Sequence, residues 1–240
     1  MTLPVFIISF NRLDCLRKLV AWLETAAQAQ PIIVDNGSTY PPLVEWLDSM
    51  KHAFPIERFP DNRGPYRVWD QRLFERFTSE PQPFYVVTDP DVVPSADCPG
   101  DALPRLVDVW QATRCPKVGL SLRLEGIPDS LPTCGAIRRW EASMQRPEQT
   151  IEIVGPGGTV RAYNESMLDT TFQVNHRDLV PPSCGSAGVR LAAPYQADHL
   201  GWQIDPRNLG DEDRFYWRTA SSGASTIQTL KSAGFAPNAE

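Results

Sequence analysis

The sequence predicts an α/β protein with a doubly wound, mostly parallel sheet flanked by helices and a small mixed or antiparallel extension in its second half. Three observations predict it. Short apolar runs alternate with segments of helical periodicity from Val5 to Asp89. The runs are continuous rather than alternating, as strands buried on both faces require. Three polar clusters, Ser9 to Arg12, Asp35 to Ser38 and Asp89 to Asp91, fall where such strands end. That edge is where parallel α/β sheets bind ligands.

Val5 to Phe10 (VFIISF) reads as the first buried strand, broken at Asn11-Arg12. Leu16, Leu19, Val20 and Leu23 then recur at helical spacing, with Asp14 as N-cap. Pro31 to Val34 reads as a second strand, running into Asp35-Asn36-Gly37-Ser38. Leu43, Trp46, Leu47 and Met50 share one face of a second helix. Ile56 to Phe59 is a third strand, and Trp69, Leu73 and Phe77 mark a third helix. Phe84 to Thr88 is a fourth strand, ending at Asp89.

Beyond Pro99, Leu103, Leu106, Val107 and Trp110 predict a helix. Val118, Leu120, Leu122 and Leu124 alternate with smaller or polar residues, which predicts a strand with one less buried face. Residues 126–150 read as irregular. Ile151 to Val154 and Thr159 to Ala162 read as a hairpin around Gly155-Pro156-Gly157-Gly158. Thr170 to Asn175 and Val189 to Ala193 read as strands, and 211–222 as a helix with Phe215 and Thr219 on one face. No internal repeat or low-complexity linker divides the chain.

The chain has 240 residues, of which 42% are hydrophobic, so a sizeable core is expected and wholesale disorder is not. The 23 prolines gather in connections such as Thr39 to Pro42 and Val180 to Pro182, which predicts shaped loops. Net charge is −6, with none of the basic footprint by which proteins neutralise nucleic-acid phosphates. An acidic chain binds a diphosphate through a divalent cation and local arginines. Arg outnumbers Lys 19 to 4 here, and Arg is the better bidentate phosphate ligand.

Five cysteines (Cys15, Cys98, Cys115, Cys134 and Cys184) are an odd number with no CxxC pair, so reduced thiols are expected. The chain opens on a strand-like run without a charged leader, and no apolar stretch approaches the ~20 residues that span a bilayer. A cytoplasmic protein is expected, and peripheral docking on a membrane is compatible with it.

Asp89-Pro90-Asp91 places two carboxylates close together at the end of a buried strand. They repel unless solvent screens them or a cation lies between. A hard ion such as Mg2+ or Mn2+ suits their oxygens and keeps positions open for a diphosphate. The plainer reading is a turn, since Asp and Pro are ordinary turn residues. Asp35-Asn36-Gly37-Ser38 likewise reads either as a ribose or base contact or as a strand-to-helix turn with a cap.

Together Pro4 to Arg12 (PVFIISFNR), Val34 to Ser38 (VDNGS), Asn62-Arg63-Gly64 and Asp89-Pro90-Asp91, in that order, resemble the family 2 glycosyltransferases of the GT-A fold, nucleotide-diphospho-sugar transferases. The resemblance covers roughly the first 100 residues. It implies a GT-A domain over 1–240, with a nucleotide-binding half at 1–98 and an acceptor and catalytic half at 99–240. It implies that Ser9, Phe10, Asn11, Arg12 and Asp35 hold the base and ribose, and that Asn62, Arg63 and Gly64 lie near the base or diphosphate. It implies that Asp91 binds the metal and that Asp89 touches the ribose or a metal-bound water. UDP is the nucleotide expected from family frequency, with GDP and dTDP as alternatives.

Gly210-Asp211-Glu212-Asp213-Arg214-Phe215-Tyr216-Trp217-Arg218 resembles the family's Gly-Glu-Asp signature, whose Glu-Asp pair supplies the catalytic base. Here the pair is inverted as Asp211-Glu212 or shifted as Glu212-Asp213. Glu212 belongs to both registers and is the expected base, with Asp211 and Asp213 as rivals. The plainer reading is an acidic first helical turn favoured by the helix dipole. His199 is the expected further metal ligand and His176 its rival. Trp202 is either a sugar platform or core. Asp169-Thr170-Thr171-Phe172 has no role assigned.

The activity implied is transfer of a sugar from a nucleotide donor, UDP-sugar first, to a glycan or other hydroxyl acceptor, with inversion. A catalytically degenerate carbohydrate or nucleotide binder is the alternative. A haloacid-dehalogenase-type phosphatase fits the Asp-x-Asp locally, but its lysine is missing: Lys18, Lys51, Lys117 and Lys231 all lie outside the gap from Val118 to Leu230. A sugar nucleotidyltransferase would carry glycine in the loop that reads Ser9-Phe10-Asn11-Arg12.

Overall fold

A computed structural model describes residues 2–179, 187–220, 225–232 and 234–235. Val180 to Pro182, Cys184 and the tail of the expected helix at 221–222 lie outside them. The N-terminal part alternates as expected: β1 (Leu3–Ser9), α1 (Leu13–Thr25), β2 (Ala29–Asp35), α2 (Pro41–Met50), β3 (Ile56–Arg58), α3 (Arg67–Asp70) and β4 (Phe84–Thr88). All seven residues of β1 are buried. This strand lies between β2 and β4, with helices covering the sheet, so both faces select apolar side chains as far as Ser9 at its carboxyl end.

The second part comprises β5 (Val92–Pro94), α4 (Ala102–Thr113), β6 (Val118–Leu122), α5 (Cys134–Ala142), β7 (Thr150–Gly155), β8 (Gly158–Met167), β9 (Gln173–His176), β10 (Ala187–His199), α6 (Asp211–Thr219) and α7 (Ser225–Ser232). One ten-stranded sheet runs in the order β3-β2-β1-β4-β9-β6-β10-β8-β7, with β5 paired to β10. The pairs β1·β2, β1·β4 and β2·β3 are parallel, while β9 is antiparallel to β4 and β6. Strands β7 and β8 form the expected hairpin. The α/β class, the parallel first half and the mixed extension are as the sequence predicts.

Two large apolar clusters carry the core. One packs Leu16, Leu19 and Leu23 of α1 with Leu103 and Leu106 of α4 and the inward residues of β1, β4, β6 and β10. The other joins Phe6, Ile32, Val34, Phe74 and Tyr85 on the other face of the parallel strands. Phe74 stacks on Tyr85 with centroids 4.9 Å apart. A third, smaller cluster joins Ile204, Leu209 and Trp217 to α7.

Several expectations need correction. Asp14 is not an N-cap: it sits inside the first turn of α1, where Arg12 holds the cap position. The third helix is broken, because Arg72 adopts a left-handed φ of 47° between α3 and a 3-10 turn at Leu73–Arg76. Strand β6 is buried on both faces. Gly119 explains this, since a Cβ there would meet the Thr171 carbonyl at 2.7 Å and the Leu168 side chain at 3.0 Å. The segment before β9 therefore lies directly on β6.

Residues 126–150 are not irregular throughout, because they contain α5. That helix buries a single residue, Glu141, which pairs with buried Arg190 of β10 at 2.5 Å. A helix anchored by an ion pair rather than an apolar face leaves little periodic signal. Strand β10 extends well past Ala193, with a register shift against β6 between Leu191 and Gln196.

Candidate active site

The chain runs outward from β1 to β2 and β3, then returns to β4 on the other side of β1. This reversal opens a crevice at the carboxyl ends of β1 and β4, the position where open α/β sheets take ligands. Ser9 to Arg12 leaves one lip and Asp89 to Asp91 the other.

Asp91 is oriented by backbone on both sides. Strand β5 pairs antiparallel with the end of β10, setting His199 opposite Val92. The Leu200 N–H donates to the Asp91 carbonyl at 2.7 Å. His199 Nδ1 thus lies 3.8 Å from Asp91 Oδ2, and Arg12 Nη1 lies 4.0 Å from the same oxygen. Trp202 stacks on the His199 ring at 4.6 Å, and Arg123 grips the adjacent Asp198 with two 2.8 Å hydrogen bonds. A Cβ at Gly201 would fall 2.5 Å from Asp91 Oδ2, so a larger residue there would displace that carboxylate.

Asp89 is arranged differently. Thr170 Oγ1 donates to Asp89 Oδ2 at 2.5 Å, and the Asp89 N–H donates to the Thr170 carbonyl. Burial, then the Asp91 charge, pushes the Asp89 carboxyl well above the ordinary carboxylate range. The 169–172 segment therefore buttresses Asp89, a role its sequence did not disclose.

Arg12 is the central cation. It is buried with Asp91 on one side and Glu212 Oε1 at 3.7 Å on the other, beneath the Tyr216 ring at 4.8 Å. Burial opposes its charge, but Cys15, Asp91, Tyr216 and Asp213 outweigh that and hold it protonated. Cys15 accepts from Arg12 Nη2 at 3.1 Å, while burial pushes its own thiol up to about 11.

Three buried polar atoms of these segments have no hydrogen-bond partner: Ser9 Oγ, Arg12 Nε and His199 Nδ1. Folded proteins rarely leave such atoms unsatisfied unless a ligand, ion or water completes them. Among the described residues no group of three His, Cys, Asp or Glu could hold a metal, so the expected set of Asp89, Asp91 and His199 is not preassembled. Asp91 and His199 are the two donors within reach of one ion. A carboxylate and an imidazole at this separation suit a divalent cation. His176 is remote: it pairs with Phe84 at the opposite end of β4 and stacks on Trp110.

The remaining predicted residues divide into spent and available groups. The Asn11 side chain is spent within the chain, contrary to a direct ligand role. Its Oδ1 accepts from the Thr39 and Tyr40 amides, and its Nδ2 donates to Thr219 of α6. Phe10 is half-buried in the same bend. Asp35 Oδ1 accepts from the Ser38 amide at 3.1 Å, and Oδ2 lies 3.4 Å from Arg58. Asn36 joins Gly64 and Arg67, bringing the Asp61 to Gly64 turn against the end of β2. Asn62 closes that turn onto the Gly64 amide, and Arg63 projects outward, paired with Asp61.

The largest correction concerns Glu212. Its Oε2 accepts from the Leu13 and Asp14 amides at 2.8 and 3.0 Å, which makes it the N-terminal cap of α1, supplied from α6. Helix starts favour a carboxylate there because their first amides lack intrahelical partners. Burial pushes the Glu212 carboxyl up, opposed by those amides and Arg12. Positions 212, 215, 216 and 219 form a face of α6 that docks on the β1–α1 and β2–α2 connections, with Phe215 against Tyr40 and Thr219 on Asn11. Asp211 is exposed and pairs with Arg214. Among the described residues no hydrogen bond or ion pair engages Asp213, which lines a cleft of about 540 Å³ together with Arg12, Asp211 and Glu212.

No family model matches the chain, and no curated protein matches it. Solved structures do. The chain is similar to a mannosyltransferase from Pyrobaculum calidifontis in complex with GDP-Man and Mn2+, at 17% identity and a TM-score of 0.37 over 52% of this chain and 36% of that one. It is similar to S. aureus TarS residues 1–349, at 13% identity and a TM-score of 0.42 over 74% of this chain and 47% of that one. A longer S. aureus TarS structure matches at 12% identity and a TM-score of 0.43, over 74% of this chain and 28% of its own length. The chain thus spans less than half the length of each. Among the described residues no helix is long and apolar enough to cross a membrane.

Proposed function

We propose that this chain is a metal-dependent glycosyltransferase that moves a sugar from a nucleotide-diphosphate donor, UDP-sugar first, to a hydroxyl acceptor with inversion. One observation carries the reading. At the strand-order reversal, Asp91 lies between buried Arg12 and His199, and Arg12 Nε and His199 Nδ1 have no hydrogen-bond partner within the chain.

Asp91 and His199 would hold Mn2+ or Mg2+, which when bound would offset the negative charge of the diphosphate. Arg12 adds a fixed positive charge beside it, where anionic charge grows as the donor's anomeric C–O bond breaks. The acceptor oxygen forms the new bond from the opposite face and gives up its proton. Asp213 is the group we assign to receive it, since Glu212 is committed to α1 and Asp211 points to solvent. The base, ribose and diphosphate contacts would come from Ser9, the 10–12 backbone, Asp35 and the 62–64 turn.

The test is calorimetry of UDP, GDP and dTDP, each with Mn2+ and with EDTA, on the wild type and Asp91→Ala. Mn2+-dependent binding of one nucleotide, weakened at least about 100-fold in the variant, is expected from loss of a charged metal ligand. Absence of binding by all three would overturn the reading. A second reading, a degenerate binding module, is favoured by the capped Glu212. It predicts nucleotide binding without donor hydrolysis or transfer. The phosphatase reading has no such support: Lys117 is buried at the start of β6, bonded to the Leu168 carbonyl.

A further inference from the structure

The turn that follows β10 touches both members of the candidate metal pair. It is a single 3-10 turn, Leu200–Gln203, beginning directly after His199. Trp202 folds back so that its ring lies on the His199 ring, with centroids 4.6 Å apart and planes 6° from parallel. Rings stacked at this spacing attract, and the contact resists any tilt of the imidazole. Gly201 stands between the two. A Cβ there would come 3.0 Å from His199 Cε1, 3.2 Å from His199 Nδ1 and 2.5 Å from Asp91 Oδ2. The absent side chain therefore leaves the space in which the imidazole edge and the carboxylate meet.

The turn is itself anchored. The Leu200 N–H donates to the Asp91 carbonyl at 2.7 Å, and His199 pairs opposite Val92. Successive side chains of a strand point to opposite faces, so Asp198 leaves β10 on the side away from His199. There Arg123 holds it through two 2.8 Å hydrogen bonds. Strand β10 thus sets where His199 sits, and Trp202 sets the plane of its ring. Metal-binding histidines are commonly oriented by a hydrogen bond from their second ring nitrogen. Here a flat aromatic face orients the ring, and Nδ1 stays without a partner. The face of Trp202 turned to His199 is closed to a sugar, and the rest of the residue packs at the edge of the main core.

We infer that the 200–203 turn positions the candidate metal pair: Trp202 fixes the plane of the His199 ring, and Gly201 leaves the space across which Nδ1 faces Asp91 Oδ2. Both are positioning residues that act through His199 and Asp91. The inference rests on the metal-dependent reading proposed above. Mn2+ would be titrated into the full chain, with the EPR signal of free Mn2+ as readout, for the wild type, Trp202→Phe, Trp202→Leu and Gly201→Ala. Trp202→Phe keeps a flat ring and should stay within about threefold of wild-type affinity. Trp202→Leu keeps apolar bulk without a face, and Gly201→Ala pushes the carboxylate aside. Each should weaken Mn2+ binding by about 10–100-fold, the usual loss when the support of a metal ligand is removed. Core packing alone predicts no such split between Phe and Leu. Gly201→Ala removes no contact, so it tests the turn even where Trp202→Leu fails to fold. Wild-type affinity in either Trp202→Leu or Gly201→Ala, or equal losses in Trp202→Phe and Trp202→Leu, would overturn the positioning role and leave the metal site in place. Absence of Mn2+ binding by the wild type would overturn both this role and the reading on which it rests.

Discussion

The two lips of the crevice differ in which of their polar groups the chain itself partners. On the β1 lip the amide and carboxylate groups are partnered within the chain, while Ser9 Oγ and Arg12 Nε have no hydrogen-bond partner: Asn11 ties the 38–40 segment to α6, Glu212 caps α1, and Asp35 holds both Ser38 and Arg58. On the β4 lip Asp91 and His199 face each other at 3.8 Å without a hydrogen bond, and His199 Nδ1 is orphaned. Groups satisfied within the chain frame the site, and unsatisfied ones on either lip are where a ligand contributes free energy. Carboxylates and amides that look equally functional in sequence therefore divide into those that hold the site's shape and those left open to bind.

The strongest way to break this division is through the acidic turn of α6. If Asp213 accepts the acceptor proton, Asp213→Asn should lower kcat by about 10²–10⁴-fold, as loss of a general base does, with nucleotide affinity unchanged in calorimetry. Glu212→Gln should keep most of the activity, because an amide oxygen can still cap α1. Loss of turnover in Glu212→Gln with normal activity in Asp213→Asn would return the base to Glu212.

Next in size is Asn11. Asn11→Ala removes a fully buried side chain that makes three hydrogen bonds, at a left-handed φ that Asn tolerates better than Ala. Stability should fall by roughly 2–4 kcal/mol in urea unfolding. A change below about 0.5 kcal/mol, the usual range for surface substitutions, would deny Asn11 a framing role. Glu212→Ala should cost less, about 1 kcal/mol for a lost cap, and Glu212→Gln less again. The smallest effect concerns Cys15. With its thiol pushed up to about 11, little thiolate exists at pH 8, so iodoacetamide should label Cys15 slowly in the native protein and readily in urea. Raising the pH towards 11 should speed native labelling, since only the thiolate reacts. Rapid labelling at pH 8 would show that the Arg12 side of the site opens in solution.

The parallel half was legible because its signals are local. Residues 5–8, 32–34 and 84–87 are apolar without interruption, and a strand buried on both faces permits nothing else. The third helix was overread, since Trp69, Leu73 and Phe77 keep the period while Arg72 breaks the backbone. Helix α5 was missed for the opposite reason. Its anchor is the Glu141–Arg190 pair, and its apolar stripe faces a cavity.

By itself the sequence determined the α/β class, the four parallel strands and the places where polar clusters leave them, because burial on two faces and turn chemistry are properties of neighbouring residues. Only the tertiary structure decided which carboxylates are bonded within the chain. Thr170 reaches Asp89 across 81 positions, and Glu212 reaches α1 across 199 and 198. Hydrogen bonds between such distant residues leave no periodicity or spacing in the chain. They come from packing the sheet and α6 together, and that packing separates a capping glutamate from a free aspartate one residue away.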